Sequence, residues 1–264
     1  MGADIKSLRT RIKSVKSTLH LTKAMGLVAS SKIRKAQIAR QKSLEYAQSV
    51  ASIIDVLASS RDCEKSPYMQ KGNGKDLIVI IAGDRGLAGG YNANIFRFIR
   101  ELDCEIVPIG KKACDKYGEE HNSSEDFSYD DTLELAKELC ERFKSGEYSR
   151  VGVLSTRYIS MISQEPRLDW ILPLEKKSES GAGAIFEPDE LTVLERAVPT
   201  YVAGILYSRI REGFACEVVA RRNAMDSASK NATTMIDELQ LKYNRARQGT
   251  ITQEITEIVA GSGE

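Results

Sequence analysis

The sequence is poor in the residues that active-site chemistry most often uses. Its 264 residues include only two histidines (His20 and His121), one tryptophan and five cysteines (63, 104, 114, 140 and 216), with no C-x-x-C pair among them. A zinc site needs clustered Cys and His ligands, so no metal site is expected. An odd number of scattered cysteines is not a disulfide framework; it suits buried or free thiols in a reducing compartment. No G-x-S-x-G nucleophile turn occurs. No run approaches ~18 consecutive apolar residues, and the opening MGADIKSLRT has no apolar core of signal-peptide length, so the chain is expected neither to cross a membrane nor to be secreted. Aromatic content of 6% against 28% charged residues favours long exposed helices over a compact all-β core.

A glycine-rich loop is present. GDRGLAGGYN, residues 83–92, follows the apolar run Leu77–Ile81 as a phosphate loop follows a buried strand. Yet a phosphate loop of the G-x-x-x-x-G-K-[ST] kind needs a Lys and a hydroxyl, and Tyr91 and Asn92 stand after Gly90 instead; G-x-G-x-x-G is also missing. Neither phosphate motif is complete, so no cofactor is expected, and the use of these glycines must be read from the rest of the chain.

The net charge of +1 conceals an asymmetry. Residues 1–42 carry eleven Lys or Arg against Asp4 alone, and residues 115–147 carry eleven acids against four bases. The two regions should face different partners. The acidic stretch reads as a solvated helix and loop face, and Cys114 and Cys140 as helix faces against a sheet. The basic amphipathic helix could grip nucleic acid, a membrane surface or acidic protein loops.

Between Ala3 and Ser66 there is no Pro and one Gly, and small or apolar residues recur in steps of three and four: Ile5, Leu8, Ile12, Val15, Leu19, Thr22, Gly26, Ala29, Ile33, Ala36, then, past Arg40 and Ser43, Ala47, Val50, Ile54 and Leu57. This is a coiled-coil seam on a helix of about residues 4–60, which would run ~85 Å. Phe214–Gln248 lacks Gly and Pro as well, with Met225, Ala228, Ala232, Met235, Leu239 and Ala246 in the same steps and Lys242 interrupting them. The two are expected to pair as an antiparallel coiled coil. Between them DLIVIIAGD, CEIVPIG and RVGVLSTRY read as strands, with a further strand through Trp170–Leu172 and helices at Asn92–Leu102 and Thr132–Lys144, before a polar loop, SESGAGAIFEP. Alternation of strand and helix predicts a parallel, Rossmann-like sheet. The expected fold class is therefore α/β, a long antiparallel coiled coil of the terminal helices (1–66 and 191–264) with an inserted Rossmann-like domain (75–190).

In the last segment, YNRARQGTITQEITEIV, hydrogen-bonding side chains crowd several faces of one helix while Ile251, Ile255, Ile258 and Val259 persist. A frayed solvated end would not keep those apolar residues. Together with IKSVKSTLHLTKAMGLVASSKIRKAQ, GDRGLAGGYNAN, FEP and NAMDSASKNATTMIDELQLKYN, this segment resembles the γ-subunit family of bacterial F-type ATP synthases, in order and over nearly the whole length. The resemblance implies a rotor, not itself catalytic, whose coiled coil turns inside a ring of α and β subunits and whose foot meets the ε subunit and the membrane-embedded c-ring. It implies a peripheral protein on the cytoplasmic side of the cell membrane that binds no nucleic acid. Met25, with Lys23, Lys32, Arg34 and Lys35 as a positive counterface, matches the residues that lie against an acidic lever of a β subunit. Arg247, Gln248, Thr252 and Glu254 match those that hydrogen-bond β-subunit loops, and Phe186 and Glu187 match the foot. The chain departs from the family's pattern at Gly26, where a charged residue is frequent, at Ala88, where the usual motif has Cys, and in REGFACEVVARRNAM, where Glu217, Arg221 and Met225 nevertheless fit. The alternative reading is a coiled-coil adaptor that holds acidic proteins or nucleic acid through its basic helix.

Overall fold

The computed structural model describes residues 2–100, 102–120, 122–176 and 186–261. His121 and most of the expected polar loop at 178–188 lie outside the described residues. In chain order the elements are α1 (Gly2–Ala58), two short 3-10 turns, β1 (Lys75–Ile81), α2 (Tyr91–Ile99), β2 (Cys104–Ile109), α3 (Lys111–Tyr117), α4 (Tyr129–Lys144), β3 (Tyr148–Tyr158), β4 (Gln164–Leu172) and α5 (Glu190–Gly261). The chain divides into two units, Met1–Ser30 with Arg221–Glu264, and Ser31–Ala220, so α1 and α5 each contribute to both.

The first unit is a helix pair. The Thr22 and Ser229 hydroxyls lie 2.8 Å apart, and a Cβ placed on Gly26 would sit 3.6 Å from the Met225 Cβ. Residue 22 faces 229 and residue 26 faces 225, which is antiparallel pairing. Burial follows one stripe per helix. On α1, Thr22 and Ala29 are buried and Ile5, Leu8, Ile12, Val15 and Leu19 half-buried, with the other faces exposed. On α5 the buried residues are Met225, Ala232, Ile236 and Leu239, continued by half-buried Tyr243, Ala246 and Thr250. This corrects the expected register at two places: Ile236 replaces Met235, which is exposed, and Tyr243 replaces Lys242. The physical reason is periodicity. Steps 232–236–239–243–246–250 alternate four and three without a break, as a continuous seam requires, whereas the path through 235 meets the charged Lys242 two turns later.

The second unit holds a four-stranded sheet in the order β2-β1-β3-β4. β1 pairs parallel with β2 and with β3, as the alternation of strand and helix predicts. β4 differs from the parallel expectation by pairing antiparallel with β3, Gly152 opposite Trp170 and Tyr158 opposite Gln164. Residues 159–163 are too short a link for a crossover, so the chain must turn back as a hairpin. α3 has no counterpart among the helices expected from the sequence. Its signal is Gly118 at φ +75, a left-handed residue whose N–H closes the helix end on the Cys114 carbonyl.

Alternate residues of β1 feed two cores. Leu77, Val79 and Ile81 pack with Ala136, Leu139 and Phe143 of α4 and with Ile54, Leu57, Leu194, Val198, Val202 and Leu206 of the long helices. Ile78 and Ile80 pack with Tyr91, Ile95 and Ile99 of α2 and Ala113 of α3. β1 reads as an unbroken apolar run because both of its faces are covered. Cys114 and Cys140 are buried on helix faces, as expected. α5 carries Pro199, Gly204 and Gly213 inside its helical run. Burial of Val198, Val202 and Leu206 offsets the local cost of those residues, and Gly204 lets the helix approach Tyr46 of α1, whose ring carbon would lie 3.4 Å from a Cβ there.

Two polar devices fix the second unit. Arg40, a charged residue in the α1 seam, pairs with buried Glu212 of α5 (3.5 Å) and lies 4.7 Å from the centre of the Tyr158 ring. Glu212 also accepts from Arg157 (3.3 Å), Arg209 (3.1 Å) and the Tyr158 N–H (3.2 Å), so the buried carboxylate is fully engaged. Asp84, in the loop after β1, accepts from the N–H groups of Lys111 (3.1 Å), Ser124 (2.9 Å) and Glu125 (3.0 Å) and from the Ser123 hydroxyl (2.9 Å). It ties the loops that leave β1 and β2 to the segment preceding α4. Burial opposes the Asp84 carboxylate, but these donors outweigh it and hold its pKa below the ordinary value.

Two outcomes are expected. In denaturant unfolding of the full chain, Ile236→Ala costs about 2–3 kcal/mol and Met235→Ala less than ~0.5 kcal/mol, because only the former faces the partner helix; the reverse order would restore the register through 235. Asp84→Asn costs about 1–3 kcal/mol at neutral pH. Since folding depresses this carboxyl's pKa, its contribution is complete above the unfolded value near ~4 and is lost as pH falls through the folded value, so the variant's stability should vary less with pH below that point than the parent's.

Candidate interaction surfaces

The glycine-rich loop is the first candidate. Gly83 donates its N–H to the Asn92 side chain (2.9 Å), and Gly110, at φ +95, passes so close to the Ala82 carbonyl that a Cβ would lie 2.1 Å from it. The next two N–H groups, of Asp84 and Arg85, point to the two oxygens of Glu217 on α5, at 3.4 and 3.2 Å. The Tyr91 hydroxyl, at the start of α2, donates to the Gly213 carbonyl one turn earlier on the same helix (2.9 Å). The turns that glycine permits here place the loop against a helix of the same chain.

The remaining candidates lie on the two units separately. In the helix pair, Lys23 is exposed and Met25 half-buried beside Gly26. Around them Leu21, Leu27 and Val28 are 61%, 72% and 59% exposed, which makes an apolar patch edged by the lysine. Sequence reasoning did not single out these three leucine and valine residues. The available signal was their position, since apolar residues beside Thr22, Gly26 and Ala29 but off that seam are turned to the outside of the pair.

Arg247, Gln248, Thr252 and Glu254 are all exposed, and the Thr252 hydroxyl caps the Gln248 carbonyl one turn back (2.9 Å). The antiparallel register explains their exposure. If 22 faces 229, residue 247 faces the first turn of α1, and α5 runs on past the point where α1 begins. Ile251, Ile255, Ile258 and Val259 are consequently 45–69% exposed. Counting along the register, about twenty residues separate these groups from the Lys23–Met25 patch, roughly 30 Å of helix, so the pair carries two distinct surfaces.

In the second unit, Arg34 and Lys35 are exposed, with no carboxylate within 4 Å among the described residues. Lys32 is different. Its ammonium pairs with Glu125 at 2.6 Å and lies 5.9 Å from the centre of the Phe214 ring, so it is turned inward. With Lys35, Asp126, Arg211 and Ala36 these groups line a cleft of about 290 Å³. Phe186 packs against the larger core, and Glu187 beside it is exposed. Among the described residues no group of His, Cys, Asp and Glu could hold a metal ion, and no helix is long and apolar enough to cross a membrane.

Comparison with known proteins identifies the family to which these surfaces belong. The profile described as ATP synthase matches residues 4–263. The chain is 39% identical to the ATP synthase gamma chain of Ruminococcus albus and 37% identical to that of Geobacter metallireducens, with 98% of each pair of chains covered. Its fold matches a chain of the mitochondrial ATP synthase rotor of Euglena gracilis, with a TM-score of 0.67 at 20% identity, over 95% of this chain and 100% of that one. A seam-paired helix couple whose longer helix ends in exposed polar and apolar groups, a Rossmann-like sheet and full-length likeness to these relatives agree: the chain belongs to the ATP synthase gamma chain family.

Proposed function

We propose that the chain is the rotor of the central stalk of an F-type ATP synthase, coupling ion flow through a c-ring to ATP synthesis or hydrolysis on β subunits, and that it carries no catalytic residue of its own. The observation that supports this most directly is the end of α5. Arg247–Val259 continues beyond the start of α1 with its hydrogen-bonding and apolar side chains exposed apart from half-buried Thr250, an arrangement suited to a surrounding sleeve of other chains. The relatives and the structural neighbour fit this reading and not the adaptor one, in which the basic helix holds acidic proteins or nucleic acid.

The mechanism rests on symmetry. Three identical β subunits would have equivalent sites in isolation, but one asymmetric helix pair among them touches each differently and so selects a different conformation and nucleotide affinity in each. On this reading Lys23 and Met25 of the helix pair, with Leu21, Leu27 and Val28 adding apolar contact, meet an acidic β-subunit segment, and on the second unit Arg34 and Lys35 form a positive face for such a segment. Lys32 supports that face from within through Glu125. Arg247, Gln248, Thr252 and Glu254 bond β-subunit loops, while Phe186 and Glu187 belong to the foot that meets the c-ring and ε subunit. The protein is then peripheral to the cell membrane on its cytoplasmic side, with α, β, ε and c subunits as partners.

Purification of the native complex tests the assignment: three copies each of two larger nucleotide-binding chains per copy of this one are expected, and recovery of the chain without them overturns it. Gln248→Ala should leave the melting of the isolated chain within ~0.5 kcal/mol of the parent, because the side chain is exposed, yet lower ATP turnover of the assembled complex. Charge reversal at Arg34 and Lys35 should weaken assembly, with a deficit that shrinks as salt is raised, measured as complex yield against ionic strength.

A further inference from the structure

In open sheets with parallel strands, ligands sit beyond the carboxyl ends of the strands, where the connections depart in opposite directions. Here that place is at β1, whose neighbours β2 and β3 follow it on opposite sides. In nucleotide-binding sheets a phosphate lies there, held by backbone N–H groups of a glycine-bearing loop. The loop after β1 presents two such groups, those of Asp84 and Arg85, side by side and towards the same point.

We propose that this loop is an oxyanion cradle which the chain fills from within, the Glu217 carboxylate taking the place of a phosphate. Four observations support the assignment. Glu217 is 1% exposed, on a helix whose neighbouring residues Ala215, Cys216, Val218 and Val219 are all buried. Its two oxygens are divided between two successive N–H groups, the pattern of an anion held by backbone donors. Gly83 accommodates the approach: a Cβ there would lie 2.7 Å from the Glu217 carboxyl carbon and 3.0 Å from an oxygen, so the carboxylate would have to shift. Finally, the loop's own carboxylate, Asp84, accepts from donors at 111 and 123–125, while the N–H groups of Asp84 and Arg85 donate to Glu217.

The cradle therefore docks α5 on the sheet. Glu217 fixes α5 to the loop, the Asp84 carboxylate fixes the loop to Glu125, and Glu125 pairs with Lys32 of α1, so one chain of hydrogen bonds and ion pairs joins both long helices to the strand ends of this unit. The ligand class of the emptied cradle is a small oxyanion, a carboxylate or phosphate.

Chemical rescue of the full-length chain tests this. Glu217→Ala should melt below the parent and recover part of the difference in sodium acetate or inorganic phosphate, compared with chloride at equal ionic strength. The parent serves as control for the general stabilisation that excluded salts give any protein. Melting equal to the parent, or equal acetate and phosphate shifts in both proteins, overturns the proposal. Glu217→Gln, which keeps the shape and removes the charge, provides a second measurement should the alanine variant fail to fold. The amides of Asp84 and Arg85 should exchange hydrogen roughly tenfold faster or more in that variant, with β1 amides unchanged. Unaltered exchange at 84 and 85 would show that the carboxylate does not hold them.

Discussion

A helix can run for dozens of residues outside a compact core only if one narrow stripe along it is buried, and α1 and α5 each keep such a stripe over most of their length, α5 as far as Thr250. In the helix pair the stripe includes small residues, Gly26 and Ala29 on α1 and Ala232 on α5, with Gly26 facing Met225. It carries larger ones, Ile54 and Leu57 on α1 and Val198, Val202 and Leu206 on α5, where the same helices join the core of the sheet-bearing unit. Everything off the stripe is free to be charged. That is how a chain with 28% charged residues and few aromatics sustains two of the longest elements it could form.

The stripe also makes demands where it turns polar. Arg40 falls on it, and a guanidinium there is tolerable only because Glu212 and the Tyr158 ring receive it, while Glu212 in turn collects Arg157 and Arg209. Thr22 falls on it too and finds Ser229. These polar contacts act as register marks, since a slip of either helix by one residue would leave a buried charge or hydroxyl without its partner.

The same geometry also decides what the helices leave uncovered. Where α5 outruns α1, its seam residues lose their partner, and Ile251, Ile255 and Ile258 stand beside Arg247, Gln248 and Glu254 on an exposed helix. Where the seam is made of Gly and Ala, bulkier apolar residues are displaced to the outside, as Leu21, Leu27 and Val28 are. Both surfaces are mixtures of apolar and hydrogen-bonding groups, suited to contacts that form and break.

By itself the sequence determined the two long helices, their pairing, β1–β3 and the family, because each is written in short-range periodicity or in contiguous motifs. The exposed groups at Lys23, Arg34, Lys35, Arg247 and Gln248 were legible for the same reason: a residue off the seam must face outward. Tertiary structure alone decided the rest. Ile236 was chosen over Met235 by the partner helix, whose register no single-helix pattern contains. β4 was turned antiparallel by the length of the 159–163 link. Lys32 was drawn inward by Glu125, 93 residues away in the chain. The use of the GDRG loop was settled by Glu217, 132 residues beyond Arg85, because which donor meets which acceptor across such separations depends on how the elements pack, and spacing along the chain carries no record of it.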